Sequence, residues 1–239
     1  MRTNKVKANI KAGKKSYGMN FSFPSLQLLE MVGSLGFDYI WLDGEHGTFT
    51  LNDVEEMCML AERLDLVVLA RVPNTQPSTI GQYLDRGVMG ITGPHMVTKA
   101  DAEALVRACK FAPQGRRSWP ISRFTGYVLP AEASQQMAQF NEEVLVSALI
   151  EDAEALGNVA EITSVPGVDA VSIGPFDLSQ SLCVQGQPRH PKVTQAIERA
   201  AAEVRACGKA WWGDLMSSTF VSILVVDAAR EYLRKAKGG

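Results

Sequence analysis

Several features that mark specialised proteins are scarce in this sequence. Four cysteines, Cys58, Cys109, Cys183 and Cys207, are spread over 239 residues. None forms a CxxC pair and none lies near a histidine at zinc-ligand spacing, so neither a disulfide framework nor a closed zinc site is read. A chain of this length buries roughly three-quarters of its unfolded surface and needs no such staple. An excess of one charge is also missing. With 24 Lys and Arg against 26 Asp and Glu, the net charge of −2 offers no footprint for nucleic acid or an anionic membrane. Long apolar runs are absent too. The longest, such as residues 64–70, fall far below the roughly 20 residues a membrane span needs. The first 15 residues are basic but lack the apolar core of a secretory signal. No internal repeat, low-complexity tract or linker is found. What remains has ordinary globular proportions, 46% hydrophobic and 21% charged, and the expectation is a reduced, cytoplasmic, enzyme-sized protein.

Short β-rich runs alternate with helical patterns. Strands are predicted over residues 16–21, 37–42, 66–70, 88–91, 144–150 and 168–173. Amphipathic helices are predicted over 25–35, 52–64, 77–85, 99–110, 153–163 and 192–207. Thr50 and Thr98 are candidate N-caps, each followed by an acid in the first helical turn. Such alternation implies a parallel sheet with helical crossovers. Strands seven and eight are predicted over 208–212 and 219–226, with a C-terminal helix over 227–237. The expected architecture is one α/β domain over residues 1–239, a (β/α)8 TIM barrel, abbreviated around strands seven and eight. Residues 213–218 are too few for a crossover helix, and residues 111–142 form a long segment before strand five.

In such a barrel the active site lies where the strands end. Strand two runs into Asp43, Gly44, Glu45, His46 and Gly47. Strand three ends at Arg71, strand four runs into Gly93, Pro94 and His95, and strand five ends at Glu151 and Asp152. Strand six runs into Gly174, Pro175, Phe176 and Asp177. Two carboxylates with open positions beside them suit a hard divalent cation, which makes Glu151 and Asp177 candidate metal ligands. Caps of the following helices are the structural alternative. His46 sits on a tight turn, and Asp43 is placed to hold its imidazole in one tautomer, leaving a base near neutral pH. Arg71 is placed to polarise a carbonyl or steady an oxyanion, or to pair with Asp43 or Glu45. Arg116 and Arg117 read equally as contacts for an anionic substrate or as a solvated turn. His95 has weaker support, and His190 lies in a turn-rich loop. The four tryptophans read as core or interface.

These residues and their order resemble the HpcH/HpaI family of metal-dependent pyruvate aldolases. The Asp-Gly-Glu-His run at 43–46 and the Gly-Pro-x-Asp-Leu-Ser run at 174–179 carry the resemblance together. Ala70 to Pro73, Leu84 to Gly87 and Pro113 to Arg117 add to it. The resemblance implies a class II pyruvate aldolase, which reversibly cleaves a 4-hydroxy-2-oxo acid to pyruvate and an aldehyde. A divalent cation (Mg2+, Mn2+ or Co2+) is implied on Glu151 and Asp177. His46, supported by Asp43, is the implied acid/base through a water on the metal, and Arg71 the contact for the keto oxygen. The backbone around Gly174, Pro175 and Phe176 is the implied carboxylate site, with Glu45 and Leu149 also lining the substrate pocket. A homo-hexamer with exchanged C-terminal helices is implied as well.

Three departures stand out. Leu149 occupies a position where family aldolases often carry Gln. Ser118 follows Arg117 where glycine is usual. The stretch after Lys209 is shortened. Two other readings stay open at this point: an oxaloacetate decarboxylase or another carbon–carbon lyase using the same metal enolate, and a non-catalytic metal-binding barrel.

Overall fold

The computed structural model describes residues 2–127 and 133–238. Its eight strands are β1 (Ser16–Phe21), β2 (Tyr39–Asp43), β3 (Val67–Arg71), β4 (Gly90–Gly93), β5 (Leu145–Ile150), β6 (Ala170–Ile173), β7 (Ala210–Trp211) and β8 (Met216–Phe220). Every neighbouring pair is parallel. In chain order the helices are α1 (Lys5–Lys11), α2 (Leu26–Gly33), α3 (Leu51–Arg63), α4 (Pro77–Asp85), α5 (Lys99–Cys109) and α6 (Ala133–Glu143). They continue as α7 (Val159–Ser164), α8 (Pro175–Ser181), α9 (Pro191–Ala206), α10 (Trp212–Leu215) and α11 (Val221–Ala236).

The strands lie in the order β7-β6-β5-β4-β3-β2-β1-β8. That is the sequence of a (β/α)8 barrel, with β8 brought round beside β1. Among the described residues the hydrogen-bonded order ends on β7 at one side and β8 at the other. The sheet is therefore a curled, nearly closed wall. The single turn of α10 packs against β6, β7 and β8 where the ladder is interrupted.

Side-chain alternation sorts the strand residues into two layers. Met19, Phe21, Ile40, Leu42, Val68, Ala70, Ile91, Val146, Ala148 and Val171 face outward into the main core shared with the helices. Tyr39, Val67, Leu69, Leu145 and Met216 face the barrel interior at its lower end. Strands β3 and β5 are buried throughout, which is why they read as unbroken apolar runs. The same alternation carries Trp41, Asp43, Arg71, Leu149 and Glu151 into the upper interior.

The basic N-terminal stretch, assigned no structure from its composition, forms α1 and closes the lower end. Val6 is fully buried within the inner cluster. Lys7 Nζ donates to the Val144 carbonyl at 2.7 Å and pairs with Asp169 at 3.0 Å.

The last strand departs from expectation. The run 219–226 is rich in β-branched residues, yet only Thr219 and Phe220 belong to β8, and residues 221–226 begin α11. The β8 ladder matches β1 from Ser16–Met216 to Asn20–Phe220, and β1 has one residue beyond that point. Without a strand to pair with, the apolar run coils. The segment 213–218, expected to hold no helix, contributes to α10, which is one turn long.

A candidate active site at the upper end of the barrel

The inward-facing positions at the strand ends surround one cavity of about 700 Å3. Asn20, Trp41, Thr92, Ser172, Ser218 and Phe220 supply its neutral strand lining, while Asp43, Arg71, Glu151 and Asp177 supply charge. Asp43 and Arg71 are cross-strand partners in register on β2 and β3. Ile150 and Ile173 pair in the same way on β5 and β6, which sets Glu151 and Gly174 side by side one residue further on.

Arg71 is held from two sides. Its Nε donates to Asp43 Oδ1 at 3.1 Å, and one terminal nitrogen donates to both Asp43 oxygens at 2.9 and 2.8 Å. The other terminal nitrogen lies 3.0 Å from Glu45 Oε2. The guanidinium carbon also sits 5.5 Å from the Trp41 ring centre. The ion pair that the sequence offered as an alternative for Arg71 is present with both acids, and Arg71 still lines the cavity.

Asp43 does not hold the His46 imidazole as expected. Its Oδ1 accepts the His46 backbone N–H at 3.1 Å, and its remaining capacity goes to Arg71. The carboxylate therefore fixes the turn that carries His46. The imidazole stands at the cavity mouth, 65% exposed, with Nε2 4.0 Å from Glu45 Oε2.

Glu151 is the deepest charged group, 1% exposed. Its Oε1 accepts the backbone N–H of His95 at 3.0 Å. Its Oε2 is buried without a hydrogen-bond partner. Burial raises the Glu151 pKa, with Glu45 adding to the rise and His95 and Arg71 opposing it. A β-carbon on Gly174 would stand 2.5 Å from Glu151 Oε2, so glycine there is what lets the carboxylate fit. Asp177, in the first turn of α8, lines the same cavity. An orphaned carboxylate oxygen in a cavity lined by a second carboxylate suits a hard divalent cation, with water or substrate oxygens completing its shell. Among the described residues no three His, Cys, Asp or Glu side chains form a ready-made metal cluster.

Gly174, Pro175 and Phe176 open α8 at the cavity rim, and Leu149 lies on its wall. Glu45 meets Arg71, His46 and His95 at the edge of the site. His95 was underrated from sequence. Its φ of +50° turns its N–H toward Glu151, and its Nδ1 lies 3.0 Å from Asp152 Oδ2. Burial disfavours charge on the ring, but the Asp152 hydrogen bond and the acids around it raise its pKa.

Two other expectations change. Arg117 is neither in the lining of this cavity nor part of a solvated turn. It is buried, 2.7 Å from Asp85, with its guanidinium carbon 4.2 to 4.8 Å from the Phe140, Phe124 and Phe111 ring centres. Trp41 and Trp212 line the cavity instead of only filling core. His190 lies in the turn-rich loop as expected and there caps α9, its Nδ1 accepting the Lys192 N–H at 3.2 Å. Asn20, Thr92, Ser218 and Phe220 were not singled out from sequence. The period-two alternation of β1, β4 and β8 is the signal that reaches them.

Comparison with known proteins agrees with this arrangement. Residues 18–237 match the family described as HpcH/HpaI aldolase/citrate lyase. A 4-hydroxy-2-oxovalerate aldolase of Rhodococcus jostii is 33% identical over 208 residues, covering 87% of this chain and 80% of that protein. A pyruvate aldolase of Rhizobium etli is 32% identical, covering 86% and 80%. The crystal structure of an HpcH/HpaI aldolase from Desulfitobacterium hafniense superposes with a TM-score of 0.90 at 24% identity, covering 98% of this chain and 96% of that one. With the family match spanning nearly all of β1 to α11, this chain belongs to the HpcH/HpaI aldolase/citrate lyase family.

Proposed function

We propose that this protein is a class II pyruvate aldolase, a carbon–carbon lyase that reversibly cleaves a 4-hydroxy-2-oxo acid to pyruvate and an aldehyde. The observation that carries the reading is the buried, unpartnered oxygen of Glu151 in a cavity that Asp177 and a fixed guanidinium also line. Glu151 and Asp177 would hold a divalent cation, Mg2+, Mn2+ or Co2+. When bound, it supplies electrophilic polarisation of the 2-oxo group.

The residues divide the remaining work. The N–H groups of Phe176 and Asp177 lie in the first turn of α8, where a helix leaves its amides without internal acceptors, and they receive the substrate carboxylate. Arg71 presents a positive charge where negative charge grows on the C2 oxygen, and its clamp of two acids keeps it from reorganising during the reaction. His46 takes the proton from the C4 hydroxyl. The C3–C4 bond then breaks, its electron pair passing to C3 and the C2 oxygen, and the aldehyde leaves with a new C4 carbonyl. Protonation at C3 gives the methyl group of pyruvate. Asp43 is a positioning residue, holding both Arg71 and the backbone of His46. We read the 239 residues as one barrel domain and the assembly as a cytoplasmic homo-hexamer.

Exchange of the pyruvate methyl protons for deuterium, followed by NMR with Mn2+ or Mg2+ present, tests the reading. Exchange that stops on chelation and is lost in Asp177→Ala is the expected result. Equal, negligible Mn2+ binding by wild type and Asp177→Ala would instead make this a non-catalytic barrel.

A further inference from the structure

We propose that the aldehyde partner of this site is uncharged and carries an apolar alkyl or aryl side chain; this rests on the pyruvate aldolase reading. The cavity lining is of two kinds. Asp43, Arg71, Glu151 and Asp177 make up its charged part. Trp41, Leu149, Trp212 and Phe220 make up its apolar part, with Phe176 at the rim. Trp41 and Phe220 meet edge to face, their ring centres 6.3 Å apart and planes at 87°. Trp41 Nε1 is also directed at Thr92 Oγ1, 3.4 Å away. Trp41 and Phe220 thus form a fixed aromatic surface on β2 and β8, and Trp212 adds to the apolar lining from α10.

Charge decides the class of acceptor. Among the described lining residues Arg71 is the only Lys or Arg, and Asp43 and Glu45 already occupy its nitrogens. Glu151 and Asp177 offset a bound divalent cation, and pyruvate brings one carboxylate of its own. A second carboxylate on the aldehyde would then enter a low-dielectric pocket with no unpaired Lys or Arg to meet it, against a surplus of acid. An alkyl or aryl group instead removes its apolar surface from water against the indole and phenyl faces. In the bond-forming direction C3 of the pyruvate enolate attacks the aldehyde carbon. The carbonyl electron pair moves to oxygen, which takes the proton carried by His46. The product is a 4-hydroxy-2-oxo acid with an apolar tail.

The test uses the full chain with Mn2+ and pyruvate. Paired acceptors of similar size are compared: hexanal with 4-oxobutanoate, and 4-isopropylbenzaldehyde with 4-carboxybenzaldehyde. Product is quantified by mass spectrometry, and methyl-proton exchange of pyruvate is recorded in parallel without acceptor. The expected result is exchange together with a kcat/KM at least about 100-fold higher for the neutral member of each pair. Exchange with equal or better use of the carboxylated members overturns the inference and leaves the pyruvate reading standing. No exchange overturns both. Trp212→Lys places a cation in the apolar part and is expected to move the ratio at least about tenfold toward the carboxylated acceptors. An unmoved ratio would remove α10 from the acceptor wall and overturn the assignment of that part.

Discussion

Arg71 has two acids for one guanidinium, and Arg117 has one acid and three phenyl rings. The two arginines look alike in the sequence, each following an apolar or glycine-containing run, and they do different work. Arg71 ends a strand whose alternation points it inward, so its place in the cavity was legible. Arg117 follows a turn with no periodicity, and only packing reveals that Phe111, Phe124 and Phe140 enclose it. Replacing Arg71 by Lys keeps the charge but loses the fork that grips Asp43. The expected outcome is a fall in kcat of about 100-fold or more in steady-state kinetics. Replacing Arg117 by Met leaves Asp85 unpaired and is expected to cost about 2–4 kcal/mol in urea unfolding, without a change in cation affinity. The cysteines give a third check. Burial pushes the Cys58 and Cys109 thiols up to about 12, whereas Cys183 and Cys207 are exposed. A thiol reagent at pH 8 should titrate two groups in the native protein and four in denaturant.

Elements with punctuation were read well and elements without it were not. Thr50 and Thr98 each form a full capping box with the acid three residues on, and α4 begins with Pro77 as predicted. The segment 111–142 holds α6 and a short turn of 3-10 helix at Arg123–Thr125. Its Gln-rich helix has weak periodicity, and the expectation there extends over residues 128–132, outside the described residues. The confusion of β8 with α11 has a similar origin. A β-branched run reads as a strand, but pairing with β1 decides where a strand can stop. The capping boxes carry a prediction with a definite sign. Hydrogen bonds from the Thr50 hydroxyl and N–H hold the Asp53 carboxyl below its usual range. Its stabilising contribution is therefore present above about pH 4 and lost as the pH falls through the depressed value. Thr50→Ala should cost about 1 kcal/mol at pH 7 and less at pH 3, read from urea midpoints.

Across the whole molecule the least satisfied surface is α11. Ile223, Leu224, Val225, Val226, Tyr232 and Leu233 are exposed along it, and its packing within the chain is against β1 and β8. A row of large apolar residues left in water marks an association surface, which agrees with the proposed exchange of this helix between subunits. Light scattering coupled to size exclusion is expected to give a mass several times that of the 26.0 kDa chain. The double substitution Leu224→Glu and Val225→Glu should shift it toward the single-chain mass. The sequence had suggested that the barrel was short of material at its C-terminal end. The structure places that shortage in β7, α10 and β8, while α11 is a full 16 residues.

The interruption between β7 and β8 bears on how this cavity can diverge among relatives. Glu151 and Arg71 stand on or next to continuous ladders, where an inserted or deleted residue would flip the alternation and expel them from the interior. Trp212 stands on α10, outside the strand ladders, so residues there can be exchanged, added or removed without shifting any register. The wall of the pocket thus tolerates change unequally, most freely at α10. New acceptor preferences should arise from drift in residues 212–215, with the pyruvate half of the site left as it is.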